Sequence, residues 1–216
     1  MAPTHNLAAI RKNYSKQELT EASVANNPIE QFNAWLDEAI VSEADEPTAM
    51  VLSTADTTGR PSARVVLLKD VSEKGFTFFT NYASRKGKEM EQNAFAALTF
   101  FWPVLERQVR IEGSIVRVSP ETSDTYFHSR PIGSQIGAWA SPQSQVIANR
   151  DVLEEADKSF TEKFSEEKEV PRPDHWGGYT LQPDRVEFWQ GRPNRLHDRI
   201  LFELESENWS IKRLAP

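Results

Sequence analysis

Apolar residues recur along this chain with two different periods, and the change of period marks its organisation. Ile29, Phe32, Leu36, Ala39 and Ile40 recur at helical spacing behind Pro28, which suits a first helical turn, so one amphipathic helix is predicted over Pro28–Val41. Upstream, residues 1–27 hold no sustained period and read as a mobile polar arm that could carry helical turns between Lys16 and Ala22. Downstream come short β-rich runs separated by turn signals: Ala49–Thr54, Ala63–Lys69 and Phe76–Thr80. The segment Ala83–Asn93 reads as a short helix with Ser84 as its N-cap. Two further strands follow, Phe95–Trp102 and Arg107–Val118, the second with Gly113 as a candidate bulge.

The remainder repeats the theme. Short helices are expected over Pro120–Ser129 and Ser134–Trp139, then a charged helix over Arg150–Lys168 with Leu153, Ala156, Phe160 and Phe164 as its buried stripe. Strands at Tyr179–Leu181, Arg185–Gln190, Arg199–Glu205 and Trp209–Arg213 complete the chain. Hairpins outnumber crossovers, which predicts a mainly β, antiparallel, closed or nearly closed barrel with peripheral helices. No linker is long enough to demand a second domain, so residues 28–216 are expected to form one domain behind the arm.

Composition narrows the chemistry. With no cysteine, disulfides, thiolate metal sites and cysteine nucleophiles are excluded, in keeping with a reducing cytoplasm. The four histidines, His5, His128, His175 and His197, show no close ligand spacing, so no metal site is expected. The first residues lack the apolar core of a signal peptide, and no apolar run is long enough to span a membrane. A formal net charge of −7 argues against general nucleic-acid affinity. An acidic chain that still gathers Arg and Lys beside aromatics points instead to discrete anion pockets.

Four such places stand out. In the stretch Glu187–Arg199, a regular strand would put Arg195, His197 and Arg199 on one face, beside the flat surfaces of Phe188 and Trp189. Three such groups repel unless an anion lies against them, although an edge strand kept soluble by its charges fits the same pattern. Arg64 and Lys69 flank the apolar run RVVLLK, and their odd separation puts them on opposite sides of a regular strand. Ser84, Arg85 and Lys86 open a helix and combine a hydroxyl, backbone donors and cations. Tyr126, Arg130 and Ser134 recur every fourth residue, converging if the helix survives Pro131 or if the turn brings them together. There is no Walker-type loop, dinucleotide fingerprint or nucleophile elbow.

The ordered run of Glu187, Phe188, Trp189, Gln190, then Arg195, Leu196, His197, Asp198 and Arg199, resembles the signature of pyridoxine 5′-phosphate oxidases. The segments RVVLLK, FFTNYASRKG, LERQVRIEG, YFHSRPIGSQIGAWAS and WGGY resemble the same family, so the likeness runs from about Arg11 to the terminal RLAP. It implies a homodimer of split β-barrels binding FMN at the subunit interface. It also implies oxidation of pyridoxine or pyridoxamine 5′-phosphate to pyridoxal 5′-phosphate, with O2 as acceptor and H2O2 as product. Carried over residue by residue, Arg64, Val65, Lys69, Phe79, Thr80 and Arg85 would contact FMN, together with Lys86, Gln108, Gln143, Ser144, Trp189 and Arg199. Substrate contacts would come from Lys69, Tyr126, Arg130, Ser134, Arg195 and His197, the last two as the catalytic residues. Arg11 and Tyr14 would belong to a segment closing over the substrate. Position 79 is Phe where some relatives have Tyr, so no side-chain hydroxyl is offered there; the loop Gly191–Asn194 is given no role. A split-barrel flavin reductase, or a carrier of flavin or pyridoxal phosphate without catalysis, are the alternative readings.

Overall fold

A computed structural model describes residue 6 and residues 13–216. The elements in chain order are α1 (Pro28–Val41), β1 (Ala49–Ala55), β2 (Pro61–Leu67), β3 (Asp70–Ser72), β4 (Gly75–Asn81) and α2 (Arg85–Gln92). Then come β5 (Phe95–Trp102), β6 (Arg107–Arg117), α3 (Pro120–Ser129), α4 (Ile132–Ala140) and α5 (Asp151–Lys163). The last three are β7 (Trp176–Gln190), β8 (Asp198–Glu205) and β9 (Asn208–Arg213). The strand order is β2-β1-β5-β6-β7-β4-β3, with β8 on β7 and β9 on β8. The pairings β1–β2, β3–β4, β4–β7, β7–β8 and β8–β9 are all antiparallel. The chain is mainly β and antiparallel with peripheral helices, as its periodicity predicts.

It forms two compact units. One holds the described residues up to Pro47 with Thr99–Ile111 and Arg185–Pro216; the other holds Thr48–Leu98 and Glu112–Asp184. In the first, Asn27 caps α1 by accepting from the Ile29 amide, and Pro28 occupies the first turn. The buried face of α1 is Gln31, Phe32, Trp35 and Ala39, whereas Ile40 is exposed. The true stripe is thus turned slightly from the expected one. Phe32 meets Phe100 edge-on at 4.9 Å between centroids, and Trp35 meets Phe188 at 5.2 Å. The Arg107 guanidinium lies 4.3 Å over the Trp35 ring and pairs with Glu38 at 2.8 Å. Residues 14–21 are held to the same unit: Glu106 Oε2 accepts from the Ser15 and Lys16 amides, and Asp198 Oδ2 from the Leu19 amide.

In the second unit Phe127, Ile136, Phe164, Val170 and Trp176 form a core against which Phe79, Tyr126, Trp139 and Phe160 pack. The α5 stripe is only partly covered, with Phe164 alone buried, and the helix ends at Lys163, before the expected Lys168.

Two expected strands, Tyr179–Leu181 and Arg185–Gln190, are one continuous β7 through Pro183. Proline removes a ladder donor and usually ends pairing. Opposite it stands Gly113, where any Cβ would collide with the Gln182 carbonyl. The missing side chain lets the two backbones stay close, so β7 runs on.

Candidate active site

Within the second unit a cavity of about 410 Å³ is lined by residues of β2, β4, α2, α3 and the segment after α4. Arg64 enters from β2. Its Nη1 donates to Leu52 O at 3.2 Å and to Thr54 Oγ1 at 2.6 Å, and its Nη2 donates to Ser62 Oγ and, at 3.4 Å, to Glu89 Oε2. Lys69 lines the same cavity. The expected opposition of Arg64 and Lys69 does not hold, because β2 ends at Leu67 and strand alternation no longer applies at Lys69.

Ser84 caps α2 by accepting from the Gly87 amide, which places Lys86 in the first turn and buries it. Its ammonium donates to Gln143 Oε1 at 2.8 Å, Thr80 Oγ1 at 3.1 Å and Ser84 Oγ at 3.4 Å. All three acceptors are neutral. Burial, then the nearby Arg64 charge, push its pKa down to about 8. Val65 also lines the cavity and is 65% exposed. Gln143 leads into Ser144, an exposed residue at φ 70°.

The other wall is built around Arg130. Helix α3 stops at Ser129, and Arg130 turns extended before Pro131 caps α4, so the helical path linking Tyr126, Arg130 and Ser134 is broken. They converge through the turn instead. Tyr126 and Arg130 line the first cavity, and Arg130 and Ser134 line a second of about 230 Å³; both include Asn81, Gln143 and Trp176. The guanidinium lies 4.7 Å over the Trp176 ring, and among the described residues its buried Nη1 has no hydrogen-bond partner. Burial lowers the Arg130 pKa, but an arginine stays charged at any physiological pH. Phe79 stacks on Tyr126 at 4.0 Å and on Trp176 at 5.6 Å, so this position supplies a flat apolar face.

In the first unit the stretch Glu187–Arg199 departs from the single regular strand expected. Pro193–Arg195 is a 3-10 turn in which Asn194 and Arg195 take φ 57° and 63°, and β8 begins only at Asp198. Arg195, His197 and Arg199 therefore do not share a strand face. Left-handed backbone reverses the chain where alternation would have continued it.

Arg195 is exposed. Arg199 has its anion already, since Nε and Nη2 clasp Glu187 at 2.8 and 3.0 Å. Glu187 also takes Arg110 at 3.2 Å. His197 Nδ1 accepts from the Arg192 amide at 3.0 Å, which leaves the proton of the neutral ring on Nε2. Burial and then the Arg195 charge lower its pKa, so the ring is neutral at pH 7.

The His197 ring lies 4.6 Å from Trp189, and Tyr14 stands edge-on to both, at 5.9 and 5.7 Å. Tyr14 rests where Gly191 has no side chain to obstruct it. Arg192, in the loop given no role, also pairs with Glu18 at 2.6 Å. Gln108 is half-buried on β6, and Arg11 lies outside the described residues.

Sequence reasoning passed over Glu89, Trp176 and Arg192. Glu89 follows Arg85 by four residues on α2 and pairs with it at 2.8 Å, a spacing that could have flagged it. Trp176 meets Arg130 and Phe79 across segments distant in sequence, and Arg192 reaches His197 through its backbone amide, which no side-chain pattern marks.

The cavity suits a flat ligand carrying a phosphate. Lys86 has only neutral acceptors, Arg130 Nη1 is buried and unpartnered, and an aromatic stack forms a wall. Buried cations without counter-ions call for an anion. Among the described residues no group of three His, Asp or Glu is placed to hold a metal, and no helix is long and apolar enough to cross a membrane.

Comparison with known proteins agrees. The profile described as pyridoxamine 5′-phosphate oxidase matches residues 36–158, and that described as the pyridoxine 5′-phosphate oxidase C-terminal dimerisation region matches residues 176–216. The chain is 55% identical over 211 residues to a pyridoxine/pyridoxamine 5′-phosphate oxidase of Polynucleobacter asymbioticus, covering 98% of this chain and 99% of that protein. It is 56% identical to the same-named protein of Neisseria gonorrhoeae, covering 98% and 100%. The crystal structure of PhzG from Burkholderia lata, in complex with tetrahydrophenazine-1-carboxylic acid, superposes with a TM-score of 0.87 at 29% identity, covering 94% of this chain and 100% of that one. The fold is the split β-barrel of FMN-binding proteins. Within that class, the chain belongs to the pyridoxine/pyridoxamine 5′-phosphate oxidase family.

Proposed function

We propose that this protein is an FMN-dependent oxidase that converts pyridoxine or pyridoxamine 5′-phosphate to pyridoxal 5′-phosphate, with O2 as acceptor and H2O2 as product. The observation that carries the reading is Arg130, whose buried Nη1 has no partner among the described residues and which lines a cavity walled by stacked aromatics. Arg64, Arg85 and Lys86 would hold the flavin phosphate, with Thr80, Gln143, Ser144 and the Val65 strand beside them. Gln108, Trp189 and Arg199 would complete the flavin contacts. Lys69, Arg130, Tyr126 and Ser134 would hold the substrate phosphate by charge-assisted hydrogen bonds.

The chemistry that a bound FMN would supply is a two-electron oxidation of the substrate carbon, with O2 as the final acceptor. The chain's own part is to bind and orient. His197 offers an Nε2 proton as donor, Arg195 an exposed charge, and Tyr14 a ring packed edge-on to His197. The test is aerobic incubation of the yellow protein with pyridoxine 5′-phosphate while following peroxide and the aldehyde chromophore. Binding without turnover would favour a carrier. Flavin reduction by a nicotinamide donor with no aldehyde would favour a reductase.

A homodimer fits this reading. Val51 and Val65 are directly paired across β1 and β2, as are Ala49 and Leu67, yet Val51, Val65 and Leu67 are 38%, 65% and 37% exposed. Such an apolar strip is covered in many oligomers. The C-terminal profile, by its description, is a dimerisation region. Light scattering is expected to give twice the chain mass, with flavin released on dissociation. A stable monomer that retains FMN would contradict it. The absence of cysteine suits a cytoplasmic setting.

Lys86 makes flavin binding pH-dependent. With its pKa near 8 in the unliganded protein, the ammonium is charged below that value and lost above it. A phosphate favours the charged form, so FMN affinity is expected to fall above pH 8, by at most about tenfold per pH unit. Flavin-fluorescence titration of the apoprotein checks this. Lys86→Met should bind more weakly and lose that alkaline limb; an unchanged limb would assign it to another group.

A further inference from the structure

We propose that Glu89 is a positioning residue for the flavin phosphate: it presets Arg64 and Arg85 and trims the charge of the cationic cluster to that of a phosphate dianion. This rests on the reading that those two arginines bind FMN.

Glu89 is buried on α2, and its two oxygens divide their work. Oε1 takes Arg85 Nε at 2.8 Å. Oε2 takes the Thr54 and Ser62 hydroxyls, each at 2.5 Å, and Arg64 Nη2 at 3.4 Å. Thr54 and Ser62 are direct cross-strand partners on β1 and β2. Because both hydroxyls spend their proton on Glu89, both turn lone pairs towards Arg64, and each accepts from it. One carboxylate thereby orients a guanidinium directly and through two hydroxyls.

The donors left over are complementary. Arg64 uses both terminal nitrogens on protein acceptors, which leaves its Nε–H. Arg85 uses its Nε on Glu89, which leaves its terminal pair for a ligand. Beyond the effect of burial, the Arg85 charge lowers the Arg64 pKa and the Arg64 charge lowers that of Lys86, so the cations crowd one another. Burial pushes the Glu89 carboxyl up, but hydrogen bonds from Ser62, Thr54 and Arg85 outweigh it and hold the pKa at about 2. The group is ionised at any working pH. Three cations and one carboxylate leave two net positive charges, against roughly −1.5 to −2 on a phosphate monoester at neutral pH.

The test is titration of apoprotein with FMN and with riboflavin, which lacks the phosphate, read by flavin fluorescence. Glu89→Gln keeps the shape and one acceptor but loses the charge. It is expected to weaken FMN about 10- to 100-fold while riboflavin stays within about twofold. A parallel loss for both flavins would mean that Glu89 merely fastens α2 to the sheet, and would overturn the proposal. Tighter FMN binding would overturn presetting, since added charge would then be the whole effect. Arg85→Met is the companion variant. If it lowers the FMN-to-riboflavin preference and Glu89→Gln does not, the proposal alone fails. If neither does, the flavin-phosphate reading fails with it. Should Glu89→Gln not fold, Glu89→Asp keeps the charge on a shorter arm; a wild-type preference there would sink presetting.

Discussion

Pyridoxine, which lacks the phosphate, is expected to be oxidised with a kcat/KM roughly 10²- to 10⁴-fold below that of pyridoxine 5′-phosphate. The gap originates at Arg130. Its guanidinium is half-buried over Trp176, with Nη1 unpartnered among the described residues. A cation over an indole ring recovers part of its desolvation cost, but less than an anion would. The unliganded protein leaves the group charged and under-satisfied, as the proposed phosphate site requires.

Lys69 lines the same cavity and is exposed, so its own contact is weaker but adds to the first. Two charged hydrogen bonds of about 1.5–3 kcal/mol each set the range above. Steady-state kinetics with both substrates measure it. Arg130→Met should narrow the gap by slowing only the phosphorylated substrate. Equal kcat/KM for the two substrates in the wild type would remove the phosphate site.

Arg199→Met is expected to destabilise the protein by about 2–4 kcal/mol, a fall of roughly 5–15 °C in Tm, before any effect on flavin is counted. The reason is Glu187, a buried carboxylate that Arg199 clasps with two hydrogen bonds. Removing the arginine leaves that charge with Arg110 as its remaining cation at 3.2 Å, which keeps the cost below that of a wholly stranded ion. Glu187→Gln in the same background should recover part of the loss.

Arg195→Met is the contrast. The residue is exposed, already sits at φ 63°, and forms no ion pair among the described residues, so stability should hold within about 0.5 kcal/mol. Its kcat/KM should fall roughly 10- to 150-fold with the yellow cofactor retained. Thermal melts beside flavin titrations separate the two variants. An Arg199→Met protein that melts like the wild type would show that the arginine serves the ligand and not Glu187.

What the sequence by itself determined were features set by neighbours in the chain. The helix over Pro28–Val41, the strand over Phe95–Trp102, the helix over Pro120–Ser129 and the Ser84 cap all stand at the predicted places. Period, proline position and a capping hydroxyl are local, so a window of residues contains them. The family motifs were legible for the same reason.

Tertiary structure decided the rest. β7 continues through Pro183 because Gly113, seventy residues earlier, leaves room for its backbone. Lys69 lines a cavity with Arg64 because β2 ends at Leu67, where strand alternation stops being a guide. The left-handed turn at Asn194 and Arg195 breaks the alternation that would have aligned Arg195, His197 and Arg199. Above all, Glu89 reads as one more charge on a solvated helix until Thr54, Ser62 and Arg64 close around it from two strands. A charge pairs with whatever the fold brings within a few ångströms, and that distance is not a function of position along the chain.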